Sequence, residues 1–458
     1  MLITYYLAGL IALQTPPVQP KLTPVPLPPA ITLGTAVQSV SLNADEAAQI
    51  ALTKSPSILL AKATVRNDRG AYQVAQSALL PSLSVSSSAS DSAVTAGSGS
   101  NSTTVSGSGT GTGGTGSGST STASAVSSNG FSNSATLRQL IFDFNRSLNT
   151  AREALATERA ANHSLTRAEQ TLVFTVKQDY YTYVLDLGLV KVQEANLAND
   201  QALLDQAKAQ YNAGPGEPSD LLSAQTAVAA AVQQLVQARN TALVAEINLA
   251  AAMGIDPRTP ITPSTTNEPS ITDAFADLYQ KALQTRPDLL ASIQLLRASG
   301  FQVAASRVAN LPSLSVVAGY GARGPDQPFP NQSASIGLNV AWSIFDSGLT
   351  QGQIMEAEAS RQTAEANLIT NQINIGSQVA SAWSTLQFAQ QQIPVTMDEE
   401  KDAAESLRIA QGRWQAGVGT FVDVTTAQTA LVTAQQAVVN AQSNLNTAIA
   451  SLRYAVGL

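Results

Sequence analysis

The sequence predicts a mainly α chain with a smaller β component, in which long helices pair as coiled-coil hairpins and four short strands lie between them. Three features carry that expectation: the pattern is written twice, the returning helices keep seven-residue apolar repeats, and alternating segments separate the helices. The duplication is the first of these because it sets the boundaries. Leu79–Val85 (LLPSLSV) returns as Asn310–Val316 (NLPSLSV), at an offset of 231. Ala51-Leu52 and Pro56 return at Ala282-Leu283 and Pro287 with the same offset. Further along the offset falls to 203 and stays there: Ile141-Phe142-Asp143 matches Ile344-Phe345-Asp346, Ala224–Ala227 matches Ala427–Ala430, and Gly254 matches Gly457. The chain therefore divides into a first repeat over 41–255, a linker over 256–270 and a second repeat over 271–458.

Residues 1–15 open with a short apolar run, well below the roughly 20 residues a membrane-spanning helix needs, and read as a secretory signal. Residues 16–40, proline-rich from Pro16 to Pro29, read as an extended linker. No later segment reaches 18 consecutive apolar residues, so a membrane location has to be reached with strands.

Each repeat reads helix, strand, loop, strand, long helix, tight turn, long helix. In the second copy the strand after the loop alternates, with Ile336, Leu338, Val340, Trp342 and Ile344 on one face and Ser335, Gly337, Asn339, Ala341 and Ser343 on the other. Its partner sets Leu314, Val316, Ala318 and Tyr320 against Ser313, Ser315, Val317 and Gly319. Segments of this length suit either a tilted membrane-barrel strand or an ordinary half-buried hairpin. Alternation in the first copy is weaker. There the loop is a Ser/Gly/Thr stretch over about 86–130, too poor in apolar residues to bury a core. Trp342 suits an interfacial aromatic position or a place on a sheet face.

The first long helix runs without proline from about Arg152 to Tyr211, on the order of 90 Å if continuous. Its counterpart, from about Leu349 to Trp414, contains Pro394, where a kink or break is expected. The helices that return keep strict heptads. Val424, Leu431, Val438, Leu445 and Leu452 alternate with Ala427, Ala434, Ala441, Ala448 and Ala455. In the first copy Leu221, Val228, Leu235, Ala242 and Leu249 alternate with Ala224, Ala231, Ala238, Ala245 and Ala252. A seven-residue repeat imposes coiled-coil packing, and an alanine seam lets backbones approach closely.

The tight turns carry Gly214-x-Gly216-x-x-x-Asp220 and Gly417-x-Gly419-x-x-x-Asp423. Gly214 and Gly417 stand where a left-handed residue closes a helix. Thr420-x-x-Asp423 has the form of a capping box. Asp143 and Asp346, between strand and helix, read as helix N-caps. Tyr211 and Trp414 precede the turns at equivalent places.

Composition narrows the chemistry. The 458 residues include no cysteine and one histidine, His163, which excludes disulfides, thiolate metal sites and cysteine nucleophiles. With 12 % charged residues and a net charge of −7 there is no basic footprint for nucleic acid. No nucleophile–base pair, metal cluster or phosphate loop is legible, so no catalytic residue, metal or cofactor is expected.

The paired LPSLSV and IFD motifs, the turns from Tyr211 (YNAGPGEPSDLLSAQTA) and from Arg413 (RWQAGVGTFVDVTTAQTA), and the terminal AAMGI and YAVGL together resemble the TolC-like outer-membrane efflux family over roughly residues 41–458. The resemblance implies an elongated α-helical barrel plus a transmembrane β-barrel formed by a homotrimer, four strands per protomer. It implies an outer-membrane channel of a tripartite efflux pump or type I secretion system, extending into the periplasm of a Gram-negative bacterium. Its partners would be a periplasmic adaptor, an inner-membrane transporter and outer-membrane lipid. The family's turns lie at the periplasmic tip, where the adaptor docks and carboxylates help gate the aperture. Asp220 and Asp423 fall on such positions, while a second acidic position of the family is Thr426 here. For Asp423, capping alone and capping with gating both stay open. Tyr211, Gly214, Gly216, Trp414, Gly417 and Gly419 become adaptor-contact candidates, with packing the alternative for Tyr211 and Trp414. Two other classes compete: a periplasmic or surface coiled-coil structural protein, and the pump's adaptor subunit. Neither accounts for four strands placed symmetrically between duplicated helical hairpins.

Overall fold

The computed structural model describes residues 40–95, 125–213, 217–264, 267–324 and 331–458. The expected signal at 1–15, the linker over 16–40 up to residue 39, Gly214, Gly216 and most of the Ser/Gly/Thr loop lie outside them.

The elements run β1 (Val40–Leu42), α1 (Ala44–Lys54), α2 (Pro56–Ser77), β2 (Ser82–Thr95), β3 (Ala125–Phe142), α3 (Arg146–Ala213) and α4 (Pro218–Ala252). There follow β4 (Ile261–Pro263), α5 (Phe275–Thr285), α6 (Pro287–Arg307), β5 (Ser313–Gly324), β6 (Asn331–Ala341), α7 (Leu349–Gln415) and α8 (Phe421–Val456). The same order thus occurs twice. Where one helix was expected before each strand pair there are two, broken before Pro56 and Pro287. A proline disfavours helical geometry in the residue before it, and Ser55 and Arg286 are both extended, at ψ 129° and 123°.

Two compact units divide the chain, each drawing on both halves of the sequence. The unit of residues 62–164 and 288–371 holds one antiparallel sheet in the order β2-β3-β5-β6. Its register aligns the rows Leu83–Leu137–Ala318–Ile336 and Ser84–Thr136–Gly319–Ser335, so the four strands share their faces. A register shift between Leu140 and Phe142 in β3 marks a bulge at the strand end next to the helix.

The other unit holds the helical hairpins. Of the ten heptad positions named in α8, all are buried except Leu445, which is half-buried; in α4 none is exposed. The repeat therefore reports real packing. Helix α7 continues through Pro394 rather than breaking. One compensation is local: the Thr396 hydroxyl donates to the carbonyls of Gln392 and Ile393, at 3.1 and 3.0 Å.

The expected linker over 256–270 contains β4, which pairs in parallel with β1. Two tyrosines of α3 hold this pair in place. Tyr180 Oη donates to the carbonyls of Leu42 and Ser264, and Tyr183 Oη to that of Ile261 at 2.9 Å. Tyr181 Oη donates instead to Glu268. Around them Ala47, Ala51, Val176, Leu249 and Met253 form a closed core. Three-residue strands carry too little periodicity to be read from sequence.

Candidate functional site

The sheet is two-faced. Leu83, Val85, Leu137, Ile336, Leu338 and Val340 share one face through their register and are all exposed; Ile336 is 81 % and Leu338 72 % exposed. Trp342, just past β6, is 58 % exposed. The opposite face carries Ser, Thr, Gly and Asn with Arg138 and Arg323, and Ser86 and Ser134 are hydrogen-bonded across it at 2.7 Å. Soluble sheets bury their apolar face on a core. Here no described element covers it. Toward the loop end this face carries the row Ser87–Asn133–Ala322–Gln332, polar at three of its four places.

Between strand and helix, both repeats turn the chain with two consecutive left-handed residues: Phe144 and Asn145 (φ 55° and 65°), Ser347 and Gly348 (φ 55° and 89°). Asp143 and Asp346 secure these turns, but from upstream of the N-cap position where they were expected. Asp143 Oδ2 accepts from the amide of Ser147 at 2.7 Å, and Asp346 Oδ2 from that of Thr350 at 2.9 Å. Hydrogen bonds from Thr350 hold the Asp346 carboxyl below the usual carboxylate range.

At the opposite end of α7 the turn is closed by a Schellman motif. The Gly417 amide donates to Trp414 O and the Val418 amide to Arg413 O, with Gly417 left-handed at φ 74°. A Cβ on Gly419 would lie 3.0–3.2 Å from Arg413 and the backbone of Trp414. Thr420 then caps α8 in the expected box: its Oγ1 accepts from the Asp423 amide at 3.2 Å, and Asp423 Oδ2 accepts from the Thr420 amide at 3.1 Å. These bonds, with Arg413 nearby, hold the exposed Asp423 carboxyl below its ordinary value. Asp220 sits in the first turn of α4, where Glu217 at the cap makes no side-chain cap bond. The two acidic positions are thus alike in place and unlike in engagement.

Trp414, 6 % exposed, is packed edge-on to Phe421 at 5.3 Å. With Leu203, Ala224, Leu407 and Val424 it forms a cluster drawing on all four long helices. Its geometry is that of packing. Tyr211 is 45 % exposed.

Several features were not read from the sequence. Asp179, Asp186, Gln193 and Asp200 recur every seven residues along α3, a polar stripe where a coiled coil ordinarily places apolar residues. Burial raises the carboxyl pKa of all three aspartates. The stripe lines grooves against the neighbouring helices, Asp179 and Asp186 facing α4, and Gln193 and Asp200 both α4 and α8. Its signal was present in the sequence as a seven-residue polar repeat. A second feature is Glu268, whose side chain is 1 % exposed. It accepts from Lys177 at 2.5 Å and Tyr181 at 3.1 Å on α3, and from Arg453 at 2.6 Å on α8. Lys177 also pairs with Asp45. No local pattern marks Glu268, because its partners come from both repeats.

Two apolar stripes remain uncovered on the helices. On α4 these are Val232, Val236, Leu243 and Ile247, spaced four, seven and four apart; on α7, Phe388, Val395 and Ile409. Among the described residues no helix is long and apolar enough to cross a membrane, and no cluster of three or more His, Asp or Glu could hold a metal.

Against known proteins, a family model described as "Outer membrane efflux protein" matches residues 47–255 and 278–458. The chain is 26 % identical over 300 residues to the outer membrane efflux protein BepC of Brucella suis, covering 65 % of this chain and 65 % of that one. It is 25 % identical over 345 residues to a probable efflux pump outer membrane protein, TtgC, of Pseudomonas putida, covering 69 % and 68 %. In fold it is similar to the crystal structure of CusC, with a TM-score of 0.79 at 19 % identity over 93 % of this chain and 95 % of that one. The outer membrane protein VceC of Vibrio cholerae gives 0.75 at 21 % identity, over 90 % and 96 %.

Proposed function

The chain belongs to the outer membrane efflux protein family, and from that premise we propose that it is the outer-membrane channel component of a tripartite efflux or secretion assembly. It conducts cargo passively from the periplasm to the exterior and is not an enzyme. The observation that carries this reading is the four-stranded sheet with an uncovered apolar face backed by a Ser/Thr/Gly/Asn face. Such a sheet is stable with lipid on the first side and water on the second. Four strands are too few to close a barrel around water, and an open sheet edge has no place in hydrocarbon.

Closure therefore needs further copies. We take the assembly to be a homotrimer, giving a barrel of twelve strands in all. The uncovered stripes of α4 and α7 support a ring: a head-to-tail interface sets one stripe of each protomer against the other stripe of its neighbour, and a closed rotation leaves no stripe bare. A periplasmic adaptor and an inner-membrane transporter complete the assembly. The tip turns are the adaptor's docking points, with Tyr211 offering the exposed aromatic.

Asp220 and Asp423 are assigned to the aperture. Asp423 also caps α8, so its loss combines two effects that Asp220 separates. The test is planar-bilayer conductance of detergent-purified protein. Wild type is expected to run as a heat-sensitive trimer and to pass ions, with currents reduced by divalent cations. Asp220→Ala and Asp423→Ala should each change the conductance and that response. Unchanged currents in both would remove the gating role, and a detergent-independent monomer would remove the channel itself.

A further inference from the structure

The strands that leave one apolar face uncovered carry a charge pattern on the other. Arg138 and Arg323 both lie in polar rows: Arg138 in Ser82–Arg138–Val317–Gly337, next to the helices, and Arg323 in Ser88–Ser132–Arg323–Asn331, toward the loops. Both are exposed, and among the described residues neither guanidinium has an ion-pair or hydrogen-bond partner. A guanidinium cannot shed its charge, so without a carboxylate beside it each is a fixed positive centre.

Little opposes them. The four strands contain no lysine or glutamate and one aspartate, Asp91, whose register place opposite Asn129 belongs with Leu83 and Val85 rather than with the arginines. The connecting stretch 96–124 has no charged residue, and 325–330 has one, Asp326, outside the described residues. On the helix side, Asp143 and Asp346 are engaged by the amides of Ser147 and Thr350. Between the two arginine rows lie Ser84–Thr136–Gly319–Ser335 and Ser86–Ser134–Gly321–Ser333, small and neutral throughout. Arg138 and Ser132 are six residues apart on β3, so the rows stand about 20 Å apart along the strand. Serine, threonine and glycine offer neither bulk nor counter-charge, and the arginines set the sign of this face.

We propose that Arg138 and Arg323 make the strand-built part of the channel selective for anions. Three copies place two rings of guanidinium groups around a water-filled lumen, and solutes of negative charge are concentrated between them. Rings of arginine favour anions because the fixed charge lowers the energy of a counter-ion in the pore and raises that of a cation. The inference rests on the channel reading and deepens it. Beyond the other ends of α3 and α7, the aperture acids Asp220 and Asp423 favour the opposite sign, so the two parts of the path discriminate separately.

The chain has no cysteine, so Ser335→Cys supplies one thiol per copy, in a neutral row between the arginines. The probes are two methanethiosulfonate reagents, one ending in sulfonate and one in trimethylammonium, applied to full-length protein in phosphatidylcholine vesicles. The readout is the ratio of their modification rates, each divided by its rate with a free thiol, and it needs no conducting aperture. At about 10 mM ionic strength, where charges act over roughly 30 Å, Arg138→Gln with Arg323→Gln should lower the sulfonate-to-ammonium ratio at least about fivefold. Arg138→Lys with Arg323→Lys should keep it. At about 1 M salt, with a screening length of roughly 3 Å, the arginine and glutamine proteins should converge. Heat-modifiable migration shows that each variant inserts; should the glutamine pair not insert, Arg138→Gln alone replaces it, with a loss of at least about twofold. A ratio unmoved by glutamine, or a difference that survives high salt, would overturn the anion selectivity and leave the channel reading standing. Ile336→Cys, on the apolar face, keeps the two apart: if it reacts as fast as Ser335→Cys, or if Ser335→Cys reacts with neither reagent, the polar face has no lumen and both readings fall.

Discussion

Ser347 is a residue in a conformation its side chain resists. Its φ of 55° is left-handed, where a Cβ crowds the carbonyl oxygen at a cost of about 1–2 kcal/mol. Glycine removes that clash and brings back part of it as chain entropy. Ser347→Gly should therefore raise stability by roughly 0.5–1 kcal/mol, read as a higher chemical-denaturation midpoint. A lower midpoint would mean that the serine makes a compensating contact. Gly254 and Gly457 show the opposite case. Both are left-handed, and a Cβ would lie about 3 Å from Lys54 and Ser55 at Gly254, or from Arg286 at Gly457. The repeat of these glycines and of Ala-Leu and Pro in the sequence is explained by one contact made twice: the end of a long helix seats on the junction before Pro56 or Pro287. Arg286 secures the second, donating to Ala455 O at 3.0 Å.

The elements show which patterns can be trusted. Seven-residue alanine and leucine repeats predicted the buried faces of α4 and α8 because coiled-coil burial depends on local spacing alone. The polar stripe of α3 has a thermodynamic signature of its own. With folded carboxyl pKa values raised by burial, Asp179 and Asp186 bind more protons in the folded chain than in the unfolded one between the ordinary and the raised values. Their contribution is fully favourable below the ordinary value and is lost as pH rises through the raised one. Asp179→Asn with Asp186→Asn should thus be more stable than wild type at pH 7–8, the difference closing toward about pH 4. Asp346 and Asp423, with lowered values, act in the opposite sense and are common to both proteins. A difference that widens toward low pH would refute the burial account. On β6, Ile336→Arg should block membrane insertion, since arginine facing lipid costs about 2–4 kcal/mol near the midplane. Ser335→Arg, one residue away on the polar face, should insert and alter ion selectivity. Equal behaviour of the pair in a heat-modifiability assay would mean that the two faces are not lipid and water.

For the whole molecule, the uncovered stripes on α4 and α7 predict assembly. Leu243→Asp should yield helical protein that runs as a monomer by size-exclusion with light scattering. Persistence of the trimer would put the interface elsewhere. Family membership agrees with an outer-membrane channel, and the likeness to CusC and VceC with its fold.

By itself, the sequence determined what depends on spacing along the chain: the duplication, the strand alternation, the heptads, the Thr420 box and the glycine closing α7. Those are near-neighbour effects, and composition with periodicity suffices for them. Only the tertiary structure decided what depends on distant segments meeting. It set Glu268 between two helices of different repeats, buried Trp414, paired β1 with β4 and gave Asp200 a groove. Such contacts join residues separated by tens to hundreds of positions, and their energy arises from burial and charge pairing that no local pattern records.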